Sequence, residues 1–500
     1  MGHDTPSSVA VIDIGSNSAR VAVYQPEPSG HLRLLASTRA ALRLVRDVDA
    51  LHRLSEESMA RAMEALRDFR AIALGAGAAR IVAVATAAMS VEENGGLFLE
   101  RVRRELGIEV ELIDGDREAR YGFVGAVRGL PVEDGLVFDM GGGSMQVSRF
   151  RKRALERDWS LPLGSLRLSQ SFLENDPPKP GQIRKLKAHV RDLLHDAHVP
   201  VLRPGETLVG TGGTVRNLAK IDRRTRGYPI TRLHGYEVTR RRLHEAVQRV
   251  AVTPLRKRDG IPGLSDERGD SIVGGALGIE TLLEAVEAEA ILVSGQGVRE
   301  GIAYSLLAAT LPSAADVRTE SVAALTARFT AWDGPTAARR AAVASRLAAC
   351  LLPRSAELAE ALRHAACIAD IGRSVDFFDR HEHAADIVLA TELDGFAHRE
   401  IALLSAVLRA AREDDPELRR VSPILKAEDR PAVAQAGVLL ALADDIEERC
   451  PRGTAIELAC EERKGEVLLS VAALAAWRPR AMGERFQRAF GRALTVRAGG

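Results

Sequence analysis

A chain of 500 residues exceeds what one hydrophobic core fills, and a formal net charge of +1 offers no global attraction to nucleic acid. With 46% hydrophobic and 27% charged residues the composition is that of a folded soluble protein, while aromatics at 4% leave little for base stacking. No run of about 18 apolar residues occurs and no signal-peptide pattern opens the chain, so neither a membrane span nor secretion is expected and the cytoplasm is the default compartment.

The chain opens with an apolar run, Val9–Ile12, then Asp13-Ile14-Gly15 and a second apolar run from Ala19, a strand–turn–strand pattern. Further strands are expected around 32–36 and 42–45. Ser55 caps a helix running to about Ile72. Residues 80–85 form a buried strand that breaks at Thr86, and a helix starts near Asn94. Residues 108–113 alternate as a strand, and a helix starts near Arg117. Residues 131–134 read as a linker. Strands resume at Gly135 with the sequence Val137-Phe138-Asp139-Met140-Gly141-Gly142-Gly143-Ser144. A third glycine turn, Gly210-Thr211-Gly212-Gly213-Thr214, leads into a helix. Residues 290–301 form a last strand, glycine turn and helix. After about residue 307 glycine turns nearly vanish, and 316–412 read as successive amphipathic helices. A charged, proline-marked stretch over 413–432 suggests a boundary, followed by a helix near 433–449 and short strands. The four cysteines, 350, 367, 450 and 460, form no Cys-x-x-Cys pair and read as small buried apolar residues of a reducing compartment.

Glycines without Cβ can take φ > 0 and turn their amides around an anion. An aspartate at the mouth of such a turn stands where a metal-bound phosphate would lie. Two Asp-x-Gly turns and a third opening a helix point to two related half-domains facing a phosphate. Basic runs at 149–153, 223–226, 240–242 and 256–258 are either solvated surface or a track for a polyanion.

The motifs at 13–18, 118–120, 139–144, 210–214, 267–270 and 294–301, in that order, closely resemble the exopolyphosphatase / guanosine pentaphosphate phosphatase family in its long bacterial form. The resemblance implies an α/β fold of two actin-like, hsp70-like (ASKHA, ribonuclease H-like) lobes over 1–131 and 132–310. An all-α HD-like domain over 311–420 and a small α+β domain over 421–500 would follow. Ala369 stands where the HD dyad has histidine beside Asp370, so no second metal site is expected, and His381, His383 and His398 are read as solvated or core residues. The resemblance makes Glu118 the catalytic base and Asp139 the essential aspartate holding Mg²⁺, with Mn²⁺ as an alternative and K⁺ as a further cation. Asp13 would act through water or by anchoring its turn, and Gln146 would complete the metal set. Gly15, Ser16, Asn17, Ser18, Arg20, Gly141, Gly142, Gly143, Ser144, Gly212, Gly213, Thr214 and Arg268 would hold phosphate. Two positions depart from the family: Gln146 replaces a glutamate, and Ser90 stands where an arginine is common. The implied activity is processive release of orthophosphate from inorganic polyphosphate by a homodimer, with no nucleic-acid partner. Guanosine pentaphosphate hydrolysis and non-catalytic sensing are the alternatives.

Overall fold

Each Asp-x-Gly turn joins two antiparallel strands, and around each pair the computed structural model builds a five-strand frame of the same order. Described are residues 7–15, 18–42, 53–85, 94–307, 310–353, 355–413, 418–474, 477 and 479–497. They fall into two compact units, Met1–Tyr228 with Arg232–Glu320, and Pro229–Thr231 with Ser321–Gly500.

In the first unit, β1 (Val9–Ile14), β2 (Ser18–Pro26) and β3 (Leu32–Ala41) form a meander. Helix α1 (Glu56–Gly75) follows, with the Ser55 hydroxyl accepting from the Ser58 N–H as expected of a cap. Strand β4 (Arg80–Ala85) then pairs parallel to β1. After α2 (Gly95–Leu106), β5 (Val110–Leu112) pairs parallel to β4, giving the order β3-β2-β1-β4-β5. Helix α3 (Gly115–Arg128) leads to the second lobe. There β6 (Gly135–Met140), β7 (Met145–Arg151) and β8 (Ala154–Leu161) repeat the meander.

Helices α4 (Ser165–Phe172) and α5 (Pro180–Asp196) precede β9 (Thr207–Thr211), which runs parallel to β6. Then come α6 (Gly213–Thr225), β10 (Tyr236–Thr239), α7 (Arg240–Val252), α8 (Ile272–Ala285), β11 (Ala290–Val293) and α9 (Val298–Ser305). The second sheet is ordered β10-β11-β9-β6-β7-β8, so β8-β7-β6-β9-β11 repeats the first sheet's frame. Strands β1 and β6 are buried at every position except Asp13 and Asp139, which are partly accessible. Two apolar strands therefore hold two carboxylates at equivalent places, each fully buried neighbour such as Ile12 or Phe138 contributing about 1.5–3 kcal/mol.

The lobes meet where α3 crosses α9. A Cβ on Gly125 would fall 1.9 Å from the Gly297 carbonyl oxygen, and one on Gly301 would fall 1.8 Å from that of Tyr121. No side chain separates the two backbones there.

The second unit is helical from α10 (Ala314–Thr326, begun in the first unit) through α11 (Gly334–Leu351), α12 (Ala356–Ile368), α13 (Arg380–Ala390), α14 (His398–Arg412) and α15 (Asp429–Arg449). Because α15 packs on α11, α12 and α14, the helical layer continues past the division expected at 420. Strands β12 (Leu458–Arg463), β13 (Glu466–Val471) and β14 (Ala493–Arg497) form a small sheet, with α16 (Arg480–Phe490) before β14. The cysteine reading needs correction: Cys350 and Cys460 form a disulfide joining α11 to β12, while Cys367 and Cys450 are free. A pair 110 residues apart leaves no spacing signal.

Asp370 sits in an ionic cluster. Fully buried Arg340 reaches Asp370 and Asp444 at 2.7 Å each and donates from Nε to the Ala366 carbonyl at 2.9 Å. Arg373 and Arg380 also pair with Asp370, and Arg380 with Asp444. Burial pushes His381 down to about 4, against the pull of Asp444, so it is neutral. His381 and His398 are buried and His383 is half-buried. Replacing Arg340 by methionine leaves two buried carboxylates short of a cation. We expect a loss of about 3–5 kcal/mol in urea unfolding.

Candidate active site

The two hairpin turns are closed in the same way. Gly15 N–H donates to the Ser18 carbonyl at 3.1 Å, and Gly141 N–H to that of Ser144 at 3.0 Å. Register places Arg20 opposite Asp13 and Gln146 opposite Asp139. The carbonyls of Gly141, Gly142 and Gly143 accept from Ser165 N, Leu166 N and Arg167 Nε at 3.0–3.1 Å. Carbonyl and following N–H point oppositely across a trans peptide, so the amides of Gly142, Gly143 and Ser144 face away from α4, free to meet an anion.

The third turn completes this wall. Gly212 has φ +94°, and a Cβ there would fall 2.5 Å from Asp139 Oδ1, so only glycine fits between β9 and the aspartate. On Gly213 a Cβ would fall 2.2 Å from Arg268 Nη2, which places the guanidinium against the first turn of α6. Asn217 steadies that loop, donating to the Gly213 carbonyl and accepting from Ser265 N–H, both at 2.8 Å. A helix N-terminus, a glycine turn and an arginine make an anion site. Thr214 packs its side chain on Gly275 of α8 and is buried, so only its backbone serves that turn.

Glu118 lies in the first turn of α3, whose start is fixed by Asp114 Oδ1 accepting from Arg117 N–H at 2.8 Å. Burial, then Asp139 and Asp13, push Glu118 up to about 8. Burial also raises Asp13 and Asp139, but arginines oppose it: Arg299 and Arg20 beside Asp13, and Arg216, Arg20 and Arg268 beside Asp139. Among the described residues no cation acts on Glu118 in this way. Separated environments of this kind distinguish a base from charge-holding carboxylates. Gln146 Nε2 lies 2.8 Å from Ser144 Oγ and 3.5 Å from Glu118 Oε2, so the amide stands between turn and base.

The sign for folding without a divalent cation follows. Glu118 titrates near 4.5 in the unfolded chain and about 8 here, so the folded state holds the extra proton between those values. Stability is full below about 4.5 and declines as pH rises toward 8. Thermal melts in chelator should fall from pH 5 to pH 8, and Glu118→Gln should flatten that slope.

Asp139 adds to the burden of burial on Asp13, and a divalent cation would relieve it. Among the described residues no group of three His, Cys, Asp or Glu could hold an ion. Mg²⁺ commonly binds through one or two carboxylates and fills its remaining places with phosphate oxygens and water, which fits this donor set.

Of the residues expected to bind phosphate, Ser16 and Asn17 lie outside the described residues, as does Ser90. The others stand on or beside the three turns. Sequence reasoning missed a ring of support. Arg216 donates to the Ser294 and Gln296 carbonyls at 3.0 Å and to Thr211 Oγ1 at 2.9 Å. Glu300 accepts from Tyr24 OH at 2.5 Å and from Gly297 N–H at 2.7 Å. Burial works against its carboxylate, but Arg299, Tyr24 and Arg216 hold it below the usual range. Arg39 of the first lobe pairs with Glu267 of the second. Burial, then Arg299, Arg216 and Arg39, pull Arg20 down to about 9, so the cleft is short of anions.

The basic run at 149–153 is largely not a track. Arg149 is buried against Glu206 at 2.5 Å, and Arg153 donates to carbonyls of Val127, Arg128, Leu130, Val132 and Pro312. The run at 223–226 differs: Arg216, Lys220, Arg223 and Arg224 share one face of α6, and burial, then Arg216, Arg223, Arg20 and Arg224, depress Lys220.

Comparison with known proteins gives the arrangement its relatives. Residues 23–310 match the Ppx/GppA phosphatase family, and residues 317–471 match Ppx/GppA phosphatase, domain III. A protein named exopolyphosphatase 1 from Mycobacterium bovis is 30% identical over 318 residues, 63% of this chain and 92% of its own. A guanosine-5'-triphosphate,3'-diphosphate pyrophosphatase from Photobacterium profundum is 28% identical over 425 residues, covering 81% of this chain and 80% of its own. The Aquifex aeolicus family member superposes with TM-score 0.54 at 29% identity, over 60% of this chain and 97% of that one. An exopolyphosphatase from Cytophaga hutchinsonii gives 0.56 at 26%, over 60% and 98%. Among the described residues no helix is long and apolar enough to cross a membrane. The match spans both lobes and the helical unit beyond them, and the chain belongs to the Ppx/GppA phosphatase family.

Proposed function

We propose that the chain is an exopolyphosphatase that hydrolyses the terminal phosphoanhydride bond of inorganic polyphosphate. The observation that carries this reading is Glu118, raised to about 8 by burial and by Asp139 and Asp13, beside the glycine turns. The amides of Gly142–Ser144, the first turn of α6 and Arg268 hold the terminal phosphoryl oxygens. Glu118 takes a proton from water as its oxygen bonds to phosphorus and the bridging P–O bond breaks. The shortened chain leaves with the electron pair. Asp139, with Asp13 behind it, would hold Mg²⁺, which supplies neutralisation of phosphoryl charge.

The cationic face of α6 favours an extended polyanion. From Arg216 to Arg224 it runs roughly 12 Å out of the cleft, long enough for several phosphate units. Lys220→Ala with Arg223→Ala should raise KM for long polyphosphate about tenfold, leave tripolyphosphate within about twofold, and flatten the salt dependence. Equal effects on both substrates would sink the track. The relative from Photobacterium profundum, aligned over 81% of this chain, supports a second reading, guanosine pentaphosphate hydrolysis. Turnover on each substrate side by side decides between them. Binding of either without phosphate release would point to a sensor instead.

A further inference from the structure

Behind the catalytic helix lies a cavity of about 1260 Å³ that the reaction described above does not use. Helix α3 separates the two. Its Glu118–Gly122–Gly125 stripe faces the cleft and α9, whereas Arg117, Tyr121, Val124 and Arg128, spaced four, three and four residues apart, line the cavity. The remaining walls come from both lobes: Gly30 of the β2–β3 turn, Lys152 to Leu155 of the β7–β8 turn, and the segment after α9.

Its chemistry is two-sided. Arg117, Arg120, Arg128, Lys152 and Arg153 line it against a single carboxylate, Glu320. Arg153 is spent on backbone carbonyls and Arg117 pairs with Glu111 at 2.5 Å. Arg128 is 5% exposed, lies 4.0 Å over the Tyr304 ring and pairs with Glu320 through Nη2, so its guanidinium is held within the wall. Phe123, Val124, Leu155 and Leu311 supply apolar wall beside the Tyr121 and Tyr304 rings. A bare inorganic anion would leave that wall wet, and a neutral apolar molecule would leave the cations unmatched.

The geometry points to a second ligand site here, for a nucleoside phosphate. Its ring would lie on Tyr121 and the aliphatic wall, and its phosphates would meet the exposed Arg120 and Lys152. Volume and mixed lining suit a mononucleotide. The site spans both lobes at the α3–α9 crossing, so its occupant contacts the helix that carries the base.

The test is titration of the full chain with mant-ADP and mant-GDP in saturating tripolyphosphate, which fills the cleft. Saturable fluorescence is expected, displaced by unlabelled ADP or GDP but not by adenosine or more tripolyphosphate. Arg120→Glu with Lys152→Glu, both at exposed positions, should weaken it at least tenfold with an unchanged melting temperature. No binding of either probe, displacement by tripolyphosphate, or affinity indifferent to the double substitution would overturn the assignment. If the double variant melts early, Lys152→Ala alone must still weaken binding severalfold, and its failure to do so would equally overturn it.

Discussion

Glu118→Gln will leave a folded protein that binds polyphosphate and releases orthophosphate about 10²–10⁴-fold more slowly. Glutamine keeps the shape of the side chain in the first turn of α3 and removes only its capacity to take a proton. Wild-type Glu118 is pushed up by burial and by Asp139 and Asp13. The neutral amide removes that repulsion, so polyanion affinity should hold or rise. Parallel assays of bound polyphosphate and released phosphate separate the two effects. Release at the wild-type rate would place the base elsewhere. Because the base works as the carboxylate, activity in the wild type is present above its pKa and lost as pH falls through it. That pKa should stand below about 8 when a cation shares the site.

Gly301→Val will prevent the first unit from folding as described. A Cβ at 301 would fall 1.8 Å from the Tyr121 carbonyl oxygen and 3.0 Å from Gly125 N, and both are helix backbone that cannot step aside. Ordinary overpacking costs about 1–3 kcal/mol because side chains shift. Here two helices would have to separate, and a loss beyond that range is expected in denaturant titration. Gly122 is the control on the same stripe: its nearest neighbour is Val298 Cγ2 at 3.9 Å, so Gly122→Ala should cost under about 1 kcal/mol. Equal effects at both positions would mean that the crossing does not set the cost.

The duplicated hairpins were legible because their signals are local. An apolar strand, an aspartate and glycines must follow one another for such a turn to form at all. Their partners were not legible. Arg216, Arg299, Glu300 and Arg39 reach the cleft from three different elements, and no spacing relates Arg39 to Glu267, 228 residues further on. The run at 149–153 misled for a related reason. Charge counted along the chain does not show that Arg153 turns inward to cap the carbonyls that end α3. In the second unit, amphipathic periodicity marked the helices, but composition does not reveal that α15 packs on α11, α12 and α14.

The crossing of α3 and α9 also sets lever arms. Glu118 stands seven residues from Gly125, roughly 10 Å along the helix. Rotation of one lobe against the other about that crossing would carry Glu118 on an arm of that length and would part Arg39 from Glu267, a pair that joins the lobes. In the proposed reaction, how far such a rotation moves the water-activating group is then set by the length of α3 between the crossing and its first turn.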